Sequence, residues 1–303
     1  MTIKFLDLVE RIGTKSPLQK KRLAAYLSGR SPNFYAEADD FVARYGDFLT
    51  TKGISIDYAV DAYLKMCSGM LRCQVQYMRT GRYPTESSDQ ANQEVYSSET
   101  EMLSYMVALG ISQFLWSTHY EIFSFFGESI QERAESMRSY LEIGPGHGLL
   151  LETALAHGKN LESMVAVDIS PTSLRLTEAI IAHSMPRAHE VQYLLGDILK
   201  TDLGRQFDFI TLGEVLEHVM EPETLLRRMK TMLAPGGRGF ISTCANCPAV
   251  DHVYQFETVE QIRTMLTFCG LSINRDLALA AEAMSITDAE QNRITINYCA
   301  LVS

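Results

Sequence analysis

The stretch Tyr140-Leu-Glu-Ile-Gly-Pro-Gly-His-Gly148 decides the fold. It reads as a short buried strand that ends in a glycine-rich loop and opens a helix. Gly144, Gly146 and Gly148 allow the backbone to turn sharply and to approach a ligand with no Cβ in between. A dinucleotide fingerprint G-x-G-x-x-G would place its third glycine where this chain has Leu149, so the spacing disfavours a nicotinamide or flavin dinucleotide. A glycine turn alone names no cofactor, and the sequence around it has to decide.

Downstream, Met164-Val-Ala-Val-Asp168 is a second strand closing on a carboxylate about 20 residues after the loop, where a ribose-binding acid belongs. Such a carboxylate accepts hydrogen bonds from two vicinal hydroxyls. Asp168 also reads as an ordinary helix cap ahead of Ser170-Pro171. Tyr193-Leu-Leu-Gly-Asp197 is a third strand ending in an acid suited to an exocyclic adenine amine, and Phe207 to Leu212 is a fourth. Further strands are expected at Gly239–Ser242, Leu271–Asp276 and Ile294–Val302. Short apolar runs alternating with helical segments indicate an α/β unit with a parallel sheet, which binds ligands at the carboxyl ends of its strands.

Upstream, residues 1–137 read as helices joined by short polar breaks. Ser16-Pro17 and Ser31-Pro32 open two of them, and Ile56 to Met78 carries apolar residues at three-to-four spacing. Arg79 to Asn92 has turn composition and reads as a loop. Ser97 to Phe126 is helical and aromatic; at this spacing aromatic residues serve a core or line an acceptor pocket. Trp116, His119 and Tyr120 are the expected pocket residues. The expected division is therefore a helical region over 1–137 and a cofactor-binding core over 138–303.

A net charge of −10 disfavours an extended nucleic-acid interface, which needs Lys and Arg against phosphates. The basic stretch from Lys15 to Arg30 reads more simply as a solvated helix face. No apolar run approaches the roughly 20 residues that span a bilayer, and no signal-peptide pattern opens the chain, so a soluble cytoplasmic protein without a membrane partner is expected. The six cysteines of a chain this long are expected as reduced thiols. Cys244-Ala-Asn-Cys247 resembles half of a zinc site, with no second pair at suitable spacing.

Taken in order, the run Glu142 to Gly148, Asp168, Gly196-Asp197, Leu216-Glu-His-Val219 and Leu233-Ala-Pro-Gly-Gly237 resembles the motifs of class I S-adenosylmethionine-dependent methyltransferases. The resemblance implies a seven-stranded Rossmann-like sheet of order 3-2-1-4-5-7-6 with the last strand antiparallel. It also implies S-adenosylmethionine as cofactor, with S-adenosylhomocysteine as product. Gly144, Gly146 and Gly148 would meet its methionine and ribose portions, Asp168 the ribose hydroxyls, and Asp197 with Ile198 the adenine. Glu214 would lie near the methionine end. Glu142, Pro145, Ile169, Gly196 and Gly213 complete the expected cofactor set.

The acceptor is expected to be a small molecule methylated on O or N, in quinone-type or natural-product biosynthesis. A C-methyltransferase, another enzyme of the same fold, or a non-catalytic cofactor-binding protein stay open. His218, with Glu217 beside it, reads either as a base for the acceptor or as a structural histidine. The set Glu214, Glu217, His218 and His252 is similar to that of metal-dependent O-methyltransferases, and a divalent cation there would polarise acceptor hydroxyls. Apolar N-terminal helices leave room for a homodimer.

Overall fold

The computed structural model describes residues 3–85, 98–185 and 191–303. Six N-terminal helices are described: α1 (Phe5–Lys15), α2 (Pro17–Leu27), α3 (Pro32–Thr51), α4 (Ile56–Thr80), α5 (Glu99–Ser112) and α6 (Ser117–Gln131). Their starts follow the cap chemistry of the sequence. Ser16 and Ser31 each accept a backbone N–H from the first turn, with Pro17 and Pro32 as the first helical residues. Of the expected loop after α4, residues 86–92 lie outside the described residues. The aromatic segment that follows divides into two helices, and the break at residues 113–116 turns Gln113 and Trp116 inward.

The second half runs β1 (Ser139–Ile143), α7 (Leu149–His157), β2 (Ser163–Asp168), α8 (Pro171–Ser184), β3 (Val191–Leu195) and β4 (Phe207–Gly213). A short 3-10 turn at Leu216–His218, α9 (Pro222–Met232), β5 (Leu233–Ala245), α10 (Val259–Phe268), β6 (Ile273–Ala280), α11 (Ile286–Gln291) and β7 (Ile296–Val302) follow. The sheet order is β3-β2-β1-β4-β5-β7-β6, with β7 antiparallel to both neighbours. β5 is longer than the apolar core Gly239–Ser242 suggests, because Leu233 already pairs with Phe207 across a register irregularity.

Both faces of the sheet are covered, and the side-chain period of two sorts residues between them. Leu141, Ile143, Val165, Val167, Ile210 and Leu212 pack against α9 and α10. Tyr140, Met164, Ala166, Phe209 and Phe240 face the other way, into a core continuous with the N-terminal helices. Phe126 of α6 is fully buried there, edge-on to Phe240 at 4.9 Å. No helix among the described residues is long and apolar enough to cross a membrane.

Candidate active site

The loop after β1 is held by its neighbours on every side. Gly144 N–H donates to the Val167 carbonyl at 2.8 Å, and the Gly146 carbonyl accepts from Thr177 Oγ1 of α8 at 3.2 Å. Gly146 takes φ +57° and faces a cavity of about 790 Å³, where the nearest atom to an added Cβ is Met106 Sδ at 3.5 Å. Backbone is therefore bare towards the cavity at this point.

Gly148 behaves differently from its expected cofactor contact. Its φ is +79°, and an added Cβ would lie 2.8 Å from Ile180 Cγ2 and 3.0 Å from Thr177 Cα. Its lack of a side chain serves the close packing of α8 on the loop, and it does not line the cavity. Glu142 is also set back from it. The carboxyl is buried under the loop, accepts from Tyr140 Oη at 2.6 Å, and is pushed up to about pKa 8 by burial, with Asp168 adding to the shift.

Gly144, Pro145, Gly146, Asp168, Ile169, Gly196, Asp197, Ile198, Gly213 and Glu214 all line the cavity, so strand tips β1 to β4 converge on it. Asp168 accepts from Ser170 N–H at 2.8 Å and Ser173 Oγ–H at 2.6 Å, which fixes its carboxylate at the cavity wall. Asp197 accepts from Leu199 N–H at 2.9 Å and pairs with Lys200 at 3.3 Å. Glu214 sits at φ +52°, an uncommon conformation for a residue with a Cβ. Its N–H donates to the Ser242 carbonyl at 2.9 Å, which ties the tip of β4 to β5.

Beyond β4 the cavity widens into a chamber of acids and imidazoles. Glu217, Asp251 and His252 are 1%, 1% and 5% exposed, yet all border it. Glu217 Oε2 accepts from Thr243 Oγ1 at 2.7 Å, while Glu217 Oε1 and Glu214 Oε1 are buried with no hydrogen-bond donor. His218 Nδ1 stands 3.0 Å from the Asp251 carbonyl and His252 Nδ1 2.6 Å from the Cys247 carbonyl. A carbonyl can only accept, so each Nδ1 carries a proton; burial disfavours the charged form of His218, whose lone pair therefore lies on Nε2. His218 Nε2 is 3.9 Å from Glu217 Oε1. Burial opposes charge on His252, but Cys247, Asp251 and Glu217 outweigh it and hold the ring at about pKa 10. Burial raises the pKa of both Glu214 and Glu217, and a cation among them would oppose that shift.

Trp116 and His119 line the same cavity from the helical side. His119 Nδ1 lies 2.8 Å from Ser112 Oγ, which itself donates to the Leu109 carbonyl, so Nδ1 is again the protonated nitrogen. Burial lowers His119 to about pKa 3. Tyr120 does not reach the cavity: one residue further round α6, its hydroxyl donates to Glu37 at 2.9 Å and its ring packs on Phe34 at 4.9 Å. Tyr105, Gln113, His147 and Asp251 also line the cavity without having been expected there. His147, inside the glycine loop, and Asp251, next to His252, lay within reach of motif reasoning. Tyr105 and Gln113 required knowledge of how α5 is rotated.

A methyltransferase domain model matches residues 118–284. A ubiquinone biosynthesis O-methyltransferase of Xanthomonas axonopodis pv. citri (strain 306) is 32% identical over 111 residues, 36% of this chain and 44% of that protein. The Bordetella avium (strain 197N) protein of the same name is 31% identical over 125 residues, 40% of this chain and 49% of that one. The chain thus spans about half the length of the curated relatives it matches. Among solved structures, the N-methyltransferase NodS from Bradyrhizobium japonicum WM9 in complex with S-adenosyl-L-homocysteine superposes with a TM-score of 0.52 at 19% identity, over 68% of this chain and 96% of that one. The mitomycin 7-O-methyltransferase MmcR gives 0.53 at 14% identity, over 81% and 70%. These superpositions extend the fold, and the domain match covers more than half of the sequence: the chain belongs to the methyltransferase domain family.

Proposed function

We propose that this chain is an S-adenosylmethionine-dependent methyltransferase acting on a hydroxyl oxygen of a small-molecule acceptor. The observation that carries this reading is that one cavity joins the bare backbone of Gly144–Gly146 and the acids Asp168 and Asp197 to the chamber of His218, Glu217 and Asp251. When bound, S-adenosylmethionine supplies an activated methyl on a sulfonium, so the protein has chiefly to align an acceptor and exclude water; alignment alone is worth about 7–11 kcal/mol in favourable cases. The residues lining the cavity fit the cofactor: Asp168 would accept from ribose hydroxyls, Asp197 and Ile198 would border the adenine, and Glu214 would lie at the methionine end. The O-methyltransferase names of the sequence relatives favour oxygen over nitrogen as the acceptor atom.

His218 has the tautomer a base needs, since its Nε2 lone pair can take a hydroxyl proton as the methyl is transferred. Calorimetry with S-adenosylhomocysteine and NADH, followed by mass spectrometry of a catechol panel, tests the reading. Binding of the adenosyl product and a mass gain of one methyl group are expected. Binding of NADH alone, or cofactor binding with no transfer to any acceptor, overturns it.

A second reading of the chamber is a divalent cation held by Glu214, Glu217, His218 and His252. Two buried carboxylate oxygens without donors, and two imidazoles whose outer N–H groups are pinned to backbone carbonyls, are the arrangement seen around metal ligands. Such an ion would polarise an acceptor hydroxyl. His218 Nε2 serves as ligand or as base, not both in one turnover. Chelation is expected to abolish turnover while leaving S-adenosylhomocysteine affinity within about twofold, a change too small to reflect a lost contact. Full activity in chelator assigns His218 to the base role instead, and His218→Ala then lowers kcat without weakening cofactor binding.

A further inference from the structure

Cys244 and Cys247 take no part in the chemistry above. Cys244 lies on the last turn of β5 before Ala245, Asn246 takes φ +51°, and the chain then folds back so that Cys247 returns beside Cys244. Donor atoms of Cys244, Cys247 and His252 lie within 4.8 Å of one another, and all three residues are buried. His252 Nδ1 is 3.9 Å from Cys244 Sγ and donates to the Cys247 carbonyl at 2.6 Å, so the ring lies against both residues, and ligation through this nitrogen replaces that hydrogen bond.

Glu217 extends the cluster. Its carboxylate falls within 4.8 Å of His252 in one triad, with His218, and of Cys244 in another, with Glu214. The chamber therefore carries two overlapping donor sets. Glu214, Glu217, His218 and His252 supply oxygen and nitrogen only. Cys244, Cys247 and His252 supply two sulfurs and a nitrogen, three of the four donors of a tetrahedral site for a borderline-soft ion, whereas hard ions keep to oxygen.

We infer that Cys244, Cys247 and His252 form a thiophilic divalent-cation site of the Zn²⁺ class, mutually exclusive with the oxygen-rich set because the two share His252. Loading it requires both thiols and the ligating nitrogen of His252 to release their protons to solvent, as thiolate and neutral imidazole are the ligating species. A soft cation bound there withdraws His252 from the four donors that face the acceptor, so Zn²⁺ acts as an inhibitor of the enzyme. The site itself stands on the donor geometry; only the inhibition rests on the methyltransferase reading.

The test uses the full chain, reduced and metal-free, titrated anaerobically with Co²⁺. A sulfur-to-cobalt charge-transfer band saturating at one equivalent is expected, and Zn²⁺ should bleach it. Cys244→Ser and Cys247→Ser should each weaken cobalt binding by more than the ~10–100-fold typical of losing an outer partner of a metal ligand. His218→Ala and Cys67→Ser should leave the band in place. Calorimetry with S-adenosylhomocysteine on the same variants reports a folded cofactor site, which separates failure of this site from failure of the functional assignment. Absence of the band in the unsubstituted protein, an undiminished band in both serine variants, or its loss in His218→Ala overturns the site.

Discussion

Gly148 and Glu142 belong to the same motif, and the structure gives both of them work beneath the cofactor loop. At Gly148 the left-handed backbone and the contact with Thr177 Cα act together. A methyl group there meets backbone that cannot step aside, so Gly148→Ala is expected to cost about 2–4 kcal/mol, from αL strain plus overpacking. Chemical denaturation checks this, and a loss below about 0.5 kcal/mol, the scale of an ordinary surface change, would show that α8 gives way. Glu142 makes a prediction of opposite sign. Its folded pKa of about 8 stands above the ordinary 4.5, so the folded state holds a proton that the unfolded chain has lost. Its contribution to stability is complete below pH 4.5 and disappears as pH rises to about 8. Glu142→Gln keeps an acceptor for Tyr140 and removes the titration. The variant should gain stability relative to the unsubstituted protein between pH 5 and pH 8, by at most about 3–5 kcal/mol at the upper end. Parallel stability curves for the two proteins would refute a buried protonated carboxyl at this position.

At the scale of elements, what could be read in the sequence was whatever a strand or cap writes locally. β1, β2, β3 and β4 were legible because each is a short apolar run that stops at Gly144, Asp168, Gly196 or Gly213, and helix starts were legible at Ser-Pro pairs. β5 and β6 were read short or shifted, since Pro235, Gly236 and Arg238 disguise the start of one, and Asn274 and Arg275 break the apolar run of the other. The expected residues at strand ends line the cavity for the same reason, since chain order fixes their position. The acceptor side depends on helix rotation, which sequence leaves open, so His119 lines the cavity while its neighbour Tyr120 lies on another face. α6 shows how closely helices and sheet are joined. Phe126 is fully buried against Phe240 and Phe209, so Phe126→Ala should cost about 3–5 kcal/mol by creating a cavity in the core that both halves share. One cooperative transition at lowered midpoint is the expected result; two separate transitions in the variant would show that the helices and the sheet unfold independently.

The whole molecule encloses its polar residues in a cavity that helices and sheet build together, and this couples its stability to acid. His119, on the helical wall, is held at about pKa 3 and His147, in the glycine loop, at about pKa 4, both by burial. Each lies below the ordinary 6.5, so the folded state resists protons that the unfolded chain takes up. Stability from these two rings is complete above pH 6.5 and is lost as pH falls towards 4. With two protons taken up on unfolding, the slope reaches at most about 2.7 kcal/mol per pH unit, less to the extent that the cavity admits water to the rings. Glu142 works against this below pH 8, so the difference between proteins is the informative quantity. His119→Gln/His147→Gln should shallow the acid limb of the stability curve measured by urea unfolding at pH 7, 6 and 5, while the alkaline limb stays as it was. An acid limb of unchanged steepness would mean that both imidazoles are already solvated in the folded state, and the cavity would then be open to water from both of its walls.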